Sequence, residues 1–330
     1  MLSFSLIAVI ILALVFDGIN GFHDSANSIA TSVSTRVLSP MQAVLMAAVL
    51  NFVGAMVSHK VAKTISSGVV NGSLPEHVII SAVLAAIIWD LITWYFGIPS
   101  SSSHALIGAL VGAAIAYTAS VDAIIWKGIW DKVVLPLITS PVIGFVLGYA
   151  VMKLLFGLLQ PFSQRFVNRW FSKLQIISAM LMSYSHGGND AQKSMGIITF
   201  AMISAGMLPK GSDVPWEVMI ACAFAMALGT SLGGWKIIKT IGVNMIRLQP
   251  IGGFAAETAA AIVIETASSI GAPVSTTHVI SSSIMGVGSA KRLTAVRWAL
   301  ARNIVWAWIL TIPVTALLGA AITFLMKLFV

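Results

Sequence analysis

Two short stretches of the chain nearly repeat each other: GIPSSSSH at residues 97–104 and GAPVSTTH at residues 271–278. Each stretch lies within apolar sequence and precedes a run of residues that favours a helix. A proline followed by small hydroxyl residues is typical of a helix N-terminus, because the side-chain oxygens accept hydrogen bonds from free backbone N–H groups. Two such helix N-termini in apolar surroundings predict a polar site inside a membrane.

The composition of the whole chain indicates the same environment. Of its 330 residues, 58% are hydrophobic and only 9% are charged, and apolar runs long enough to cross a bilayer recur from end to end. Such a chain is predicted to be an all-α, polytopic membrane protein. Its net charge of +8 is therefore a matter of membrane topology rather than of nucleic-acid binding.

Basic residues concentrate in alternate loops. More than half of them lie at residues 165–173, 236–247 and 291–302. By the positive-inside rule these loops are predicted to be cytoplasmic, in a multi-pass protein of the cell membrane with both termini outside.

Three pairs of matching segments occur in the same order in the two halves of the chain. GFHDSANS at residues 21–28 matches GGNDAQKS at 187–194, KVAKTI at 60–65 matches KIIKTI at 236–241, and the two Pro/hydroxyl/His stretches match each other. The chain is therefore predicted to contain an internal duplication. Its parts are a first transmembrane repeat at 1–158, a short cytoplasmic linker at 159–173 and a second transmembrane repeat at 174–330.

The number of spans in each half predicts how the repeats are oriented. Each half contains roughly five apolar segments of spanning length, or three spans if the segments beside the Pro/hydroxyl turn form a re-entrant hairpin. Both numbers are odd, so the second half must enter the membrane from the opposite face. We therefore expect inverted-topology repeats with broken helices and re-entrant hairpins, a design that recurs in secondary transporters.

Two apolar stretches, at residues 3–34 and 174–205, are well beyond the roughly 20 residues that cross a bilayer. Glycines lie near the middle of both, including Gly21 and Gly187. Because glycine is common where a helix unwinds, we expect each stretch to form two half-helices.

Asp24 and Asp190 lie at the middle of those stretches. A carboxylate inside the membrane costs about 2.5–3.5 kcal/mol on insertion scales, so it needs a cation or a water-filled cavity. The nearby oxygens are hard ligands, which suit Na⁺ better than a soft metal. The predicted sodium ligands are Asp24, Asn27, Ser28, Asn189, Asp190, Gln192 and Glu257. The alternative is that each aspartate only caps a half-helix or pairs with a lysine, as Lys193 would allow for Asp190.

The two hydroxyl runs offer O–H donors and free N–H groups at the positive end of a helix dipole, which is the chemistry of an anion site. The predicted anion ligands are Ser101, Ser102, Ser103, Ser275, Thr276 and Thr277. Neither run contains an arginine, so bound cations would supply the compensating charge and anion binding would depend on them. The alternative is plain capping at a contact between two helices.

Four histidines lie near these motifs: His23, His104, His186 and His278. Such a group suggests a transition-metal site or a proton relay. A histidine that hydrogen-bonds a nearby carbonyl and braces a turn is the more common arrangement, so we predict no transition metal. The chain contains no Walker A motif and no nucleophile elbow. We therefore predict that the protein is neither an enzyme nor an ATP-driven pump, and that it uses no organic cofactor.

In these motifs the chain resembles the inorganic phosphate transporter (PiT) family. Its members carry a duplicated Gly-x-Asn-Asp signature and a duplicated Pro-x-Ser-Thr/Ser-Thr/Ser-His signature in inverted repeats. The second half matches both signatures, whereas His23 stands where the family usually has asparagine. Glu257 matches a membrane glutamate that the family uses in transport. The resemblance implies symport of phosphate with Na⁺ or H⁺, and some relatives carry sulfate.

The leading hypothesis is a secondary active symporter that couples inorganic phosphate to a Na⁺ gradient by alternating access. Coupling to H⁺ and sulfate as the substrate are alternatives that the residues leave open. A passive channel for anions or a divalent metal is the alternative from another class, although channels usually line a pore through symmetric subunits. The expected surrounding is the lipid bilayer, and a homodimer is compatible with the sequence.

Overall fold

The computed structural model describes residues 3–328, which are helical apart from connections and one isolated β-bridge between Val70 and Ile124. In chain order the helices are α1 (Phe4–Ser34), α2 (Pro40–Ala55), α3 (Lys60–Gly68), α4 (Glu76–Phe96), α5 (Ser102–Thr118), α6 (Trp126–Leu159), α7 (Gln164–Ser204), α8 (Trp216–Leu232), α9 (Trp235–Asn244), α10 (Pro250–Ser269), α11 (Thr276–Lys291) and α12 (Trp298–Met326). The all-α prediction is confirmed.

The two halves contain the same succession of helices. A long helix (α1 or α7) is followed by a bent pair (α2–α3 or α8–α9), then by two helices beside a Pro/hydroxyl turn (α4–α5 or α10–α11), and finally by another long helix (α6 or α12).

The connection between the halves is shorter than the predicted linker at 159–173. α6 ends at Leu159 and α7 begins at Gln164, where the Ser163 hydroxyl accepts a hydrogen bond from the Phe166 N–H. Because this serine caps the helix, most of the predicted linker forms the first turns of α7.

Several helices are long and apolar enough to cross a membrane. α1, α4, α6 and α12 qualify individually, and each bent pair qualifies as one span, with a bend of 65° in α2–α3 and of 64° in α8–α9. In the most apolar 18-residue stretch of each helix, the buried share is only 17% for α6 and 22% for α12. These two helices therefore present most of their apolar surface to lipid.

The helix breaks lie elsewhere than the sequence predicted. α1 and α7 are continuous through their aspartates, so the expectation of two half-helices in each is wrong. Their glycines serve close packing instead: a Cβ atom at Gly187 would overlap the backbone of Asn51 on α2, and one at Gly21 would overlap the backbone of α8. The breaks occur in the bent pairs, and Gly233 at the second break has a φ of +71°, which glycine adopts without a steric penalty.

Much of the packing joins helices of different halves. α1 packs on α8 and α7 packs on α2, while α5 packs on α12 and α11 packs on α6. Small residues allow these close contacts, as at Gly112, where a Cβ atom would overlap the backbone of Ala316 on α12. The two halves therefore form one interlocked body.

Two apolar cores lie on either side of a polar layer. One core includes Phe16 of α1 and Met195 of α7, and the other includes Ile29 of α1 and Met182 of α7. Between the cores, residues 20–25 of α1 and 183–190 of α7 are mainly buried polar side chains and glycines. A polar site in this fold is therefore built mainly from the middle of α1 and α7.

Candidate functional site

The polar layer is built around two aspartates. Asp24 of α1 and Asp190 of α7 are both buried. Their carboxylates and a ring nitrogen of His186 offer ligand atoms that all lie within 4.8 Å of one another. At an effective dielectric constant of about 20, two like charges 4.8 Å apart repel by about 3.5 kcal/mol. The pair therefore needs positive charge close by.

Basic side chains face both aspartates. The Lys193 ammonium, in a residue that is 1% exposed, donates to Asp190 Oδ1 at 2.5 Å. His23 Nδ1 lies 2.6 Å from Asp24 Oδ1, and His186 Nε2 lies 3.4 Å from Asp190 Oδ2. Asp190 therefore pairs with a lysine, the alternative left open by the sequence, whereas Asp24 has a histidine beside it.

The second hydroxyl turn joins the two aspartates. Thr276 Oγ1 donates to Asp190 Oδ2 at 3.2 Å, and Thr277 Oγ1 donates to Asp24 Oδ1 at 3.4 Å. The Asn27 amide donates to both hydroxyl oxygens, at 3.1 and 2.8 Å respectively. Five of the predicted ligands therefore meet at one place, although they come from α1, α7 and α11.

The first hydroxyl turn reaches the same place from α5. Ser101 caps α5 and Ser275 caps α11, each by accepting a hydrogen bond at 3.3 Å from the N–H of the histidine three residues later. Ser103 Oγ donates to the Val274 carbonyl at 3.4 Å, so the two turns touch. The Ser102 hydroxyl is buried and has no hydrogen-bond partner in the part of the chain that the structure describes.

Both capped helices keep backbone donors free. The N–H groups of Ser102 and Ser103 on α5, and of Thr276 and Thr277 on α11, precede the first helical hydrogen bonds, and no acceptor within residues 3–328 pairs with them. Free N–H groups at a helix N-terminus, with the helix dipole behind them, favour an anion. Two helix N-termini that touch therefore offer a small oxyanion donors from two sides.

Two of the remaining predicted ligands have free oxygens. Ser28 Oγ and Asn189 Oδ1 are buried and lack a hydrogen-bond partner among the described residues. Gln192 differs, because its Oε1 accepts from the N–H of Val61 at the start of α3 and its Nε2 donates to the Gly188 carbonyl. Gln192 thus braces α3, and its amide is occupied by protein partners.

Glu257 lies in a second polar network. Its carboxylate accepts hydrogen bonds from Thr31 and Ser178, and from Gln175 at 3.4 Å. Thr31 follows Asp24 by seven residues on α1, a distance of about 10 Å along the helix axis. Glu257 is therefore bound to groups about two helical turns away from the aspartate pair.

The four histidines divide into two kinds. His23 Nε2 lies 3.0 Å from a threonine hydroxyl on α4, and His186 Nδ1 lies 3.1 Å from an asparagine amide oxygen on α2, so both brace the layer. The ring centroids of His104 and His278 lie 5.0 Å apart, and the ring nitrogens have no hydrogen-bond partner in the described chain. The interpretation of the histidines as braces therefore fits only the first pair.

Two polar residues of α1 were not predicted to belong to the site. Asp17 and Asn20 are fully buried, and their side-chain oxygens and nitrogen lack hydrogen-bond partners among residues 3–328. They precede Asp24 by seven and four residues, which places all three on one face of α1. This spacing is the sequence feature that could have identified the two residues, because a polar stripe along an apolar membrane helix faces the protein interior.

Comparisons relate the chain to known proteins along nearly its whole length. A family model described as "Phosphate transporter family" matches residues 20–319. A protein of Bacillus subtilis (strain 168), named "Probable low-affinity inorganic phosphate transporter", is 51% identical over 98% of this chain and 97% of its own. A protein of the same name from Rhizobium meliloti (strain 1021) is 47% identical over 96% of this chain and 94% of its own. A solved structure described as "The sodium-dependent phosphate transporter" has a TM-score of 0.90 at 27% identity, with 99% of this chain and 100% of that chain covered.

Proposed function

Because the chain belongs to the phosphate transporter family, we propose that it is a secondary active symporter, which moves inorganic phosphate across the cell membrane together with Na⁺ by alternating access. The observation that carries this proposal is the meeting of two buried aspartates with two hydroxyl-lined helix N-termini in one layer. The names of the bacterial relatives support phosphate as the substrate, and the name of the solved structure supports sodium as the coupling ion.

Phosphate binds between the two hydroxyl turns. Its oxygens accept hydrogen bonds from the free N–H groups of α5 and α11 and from the Ser102 hydroxyl. The Ser103 hydroxyl joins these donors once it releases the Val274 carbonyl. Because the two turns contain no arginine, the donors are dipoles and hydroxyls, and the anion's charge is compensated by cations nearby.

Na⁺ binds at the aspartate pair. Besides the carboxylates, three buried oxygens lack partners in the described chain and supply hard ligands: Asn27 Oδ1, Ser28 Oγ and Asn189 Oδ1. A shell of carboxylate, amide and hydroxyl oxygens suits a hard cation.

The threonines of α11 couple the two ligands. In this structure the hydroxyls of Thr276 and Thr277 donate to Asp190 and Asp24. When Na⁺ adds its positive charge to that of Lys193 and the charge of the aspartate pair is fully compensated, the same hydroxyls are released to donate to phosphate. Without Na⁺, the carboxylates both hold the hydroxyls and repel the anion, so phosphate binds tightly only after the cation.

The repeated succession of helices suggests how access alternates. We propose that the halves are inverted repeats. Because the halves interlock, the units that rock around the polar layer are groups of helices drawn from both halves, and they open the layer to one side at a time. The basic segments at residues 165–173, 236–247 and 291–302 face the cytoplasm in this arrangement, and both termini lie outside.

Uptake by proteoliposomes tests this proposal. With an inward Na⁺ gradient and equal pH on both sides, the purified protein should accumulate labelled phosphate above its external concentration. Accumulation that depends on a pH gradient and not on Na⁺ would mean that protons, rather than sodium ions, are coupled to phosphate. Phosphate that only equilibrates would indicate a passive channel.

A further inference from the structure

The two aspartate motifs differ three residues after the aspartate. In the first motif Asn27 follows Asp24, and in the second motif Lys193 follows Asp190. Both side chains are buried, and both point into the layer from continuous helices. The same position therefore carries a neutral amide in one half and a full positive charge in the other.

The lysine charge is held in place by its aspartate. Lys193 Nζ donates to Asp190 Oδ1 at 2.5 Å, its only hydrogen bond within the described residues. In contrast, the amide of Asn27 donates to the Thr276 and Thr277 hydroxyls, and the Asp24 carboxylate has His23 and the Thr277 hydroxyl beside it. The negative charge of Asp190 is thus compensated by a side chain of the protein itself.

We propose that the Lys193 ammonium is a resident cation, which permanently occupies the position that an exchangeable sodium ion would take beside Asp190. This inference rests on the proposed function and identifies the residue that sets the number of coupling ions. Exchangeable Na⁺ then binds on the Asp24 side, where the free oxygens of Asn27 and Ser28 lie.

A resident cation has an energetic consequence for transport. It compensates charge in the binding site but returns with the protein in every cycle, so no gradient acts on it. Each exchangeable Na⁺, by contrast, lets the sodium gradient act once more on phosphate. At zero membrane potential, one additional coupled Na⁺ in a tenfold sodium gradient raises the limiting accumulation ratio of phosphate by about tenfold.

The test replaces Lys193 by asparagine, the residue at the equivalent position of the first motif. In proteoliposomes, Lys193→Asn should transport one more Na⁺ per phosphate than the wild-type protein, as measured from initial fluxes of labelled sodium and phosphate. Its sodium activation curve should also become steeper and shift to higher concentration. Lys193→Arg, which keeps the charge, should show the wild-type ratio. Lys153→Asn, at an exposed position of α6, is the matched lysine-to-asparagine control and should change nothing.

A charge-neutral double variant keeps the test decisive if Lys193→Asn does not fold. Asp190→Asn combined with Lys193→Asn removes both members of the pair, and the proposal expects the wild-type sodium-to-phosphate ratio. Loss of one sodium ion per phosphate in this variant would overturn the proposal, because Asp190 would then bind an exchangeable ion.

Two further results would overturn the proposal. One is an unchanged ratio in folded Lys193→Asn. The other is a loss of phosphate binding in that variant that saturating sodium does not restore, because Lys193 would then be a phosphate ligand. If the wild-type protein shows no sodium-driven accumulation, the proposed function fails and this inference fails with it. A failure of the inference alone leaves wild-type accumulation intact.

Discussion

Removing the carboxylate of Asp190 should destabilise the protein because it leaves a lysine charge buried without a partner. Lys193 is 1% exposed and its only hydrogen bond in the described chain is to Asp190 Oδ1, at 2.5 Å. Breaking a buried ion pair from one side typically costs about 3–5 kcal/mol. Thr276 and His186, which lie 3.2 and 3.4 Å from Asp190 Oδ2, carry no negative charge. The other carboxylate of the pair, that of Asp24, already has His23 Nδ1 at 2.6 Å. Removal of Asp190 also ends its repulsion with Asp24, so we expect Asp190→Asn to lose folding free energy, by at most about 3–5 kcal/mol.

The second variant in this test removes the orphaned charge as well. Replacement of both members of a buried pair by neutral residues is often close to neutral. Asp190→Asn combined with Lys193→Asn should therefore recover most of the loss, so the two substitutions are strongly non-additive. Equilibrium unfolding of the detergent-solubilised protein in denaturant, followed by tryptophan fluorescence, measures each free energy. The experiment should be done without sodium, because Na⁺ would itself stabilise any variant that binds it.

The reasoning would be refuted by either of two results. One is an Asp190→Asn variant as stable as the wild-type protein. The other is a double variant less stable than Asp190→Asn alone, which would mean that the lysine stabilises the fold through other contacts.

Three further predictions concern packing, phosphate binding and the bracing of α3. Gly229→Ala should cost about 1–3 kcal/mol in the same unfolding assay, because its Cβ atom would overlap the backbone of α1, whereas the control Gly157→Ala, with nothing within 4 Å, should not be destabilising. Ser102→Ala and Thr276→Ala should each weaken phosphate binding by about 0.5–1.5 kcal/mol in calorimetric titrations at saturating sodium, and unchanged affinity in both would mean that the hydroxyls only shape the turns. Gln192→Ala should lower stability by about 1–3 kcal/mol without changing the sodium-to-phosphate ratio, and a lost sodium ion would instead make its amide a ligand.

The sequence was most informative where one physical cause produces one pattern. Long apolar runs have few explanations other than membrane-spanning helices, and the duplicated motifs at Asp24, Asp190 and the hydroxyl turns have few explanations other than a shared polar site. The contacts among Asn27, Thr276 and Thr277 agree with that expectation, although these residues are far apart in the chain.

The sequence was misleading where one pattern has two physical causes. Glycines at the middle of a long apolar stretch serve either to unwind a helix or to admit a neighbouring backbone, and only the neighbour decides between them. At Gly187 the neighbour is Asn51 on α2, so α7 stays continuous. Gln192 is a similar case, because an amide beside an aspartate suits a cation, but its partner is the N-terminus of α3, which the sequence places more than a hundred residues away.

The most direct test of the account is phosphate binding to the purified protein as a function of sodium. We predict that phosphate affinity, measured by calorimetry at constant ionic strength and pH, rises steeply as Na⁺ replaces choline. The reason is that sodium, together with Lys193, compensates the charge of the aspartates and releases the α11 hydroxyls. Parallel titrations with sulfate measure how selective the site is for phosphate. Equal phosphate affinity with and without sodium would contradict the claim that the cation and the anion share one site.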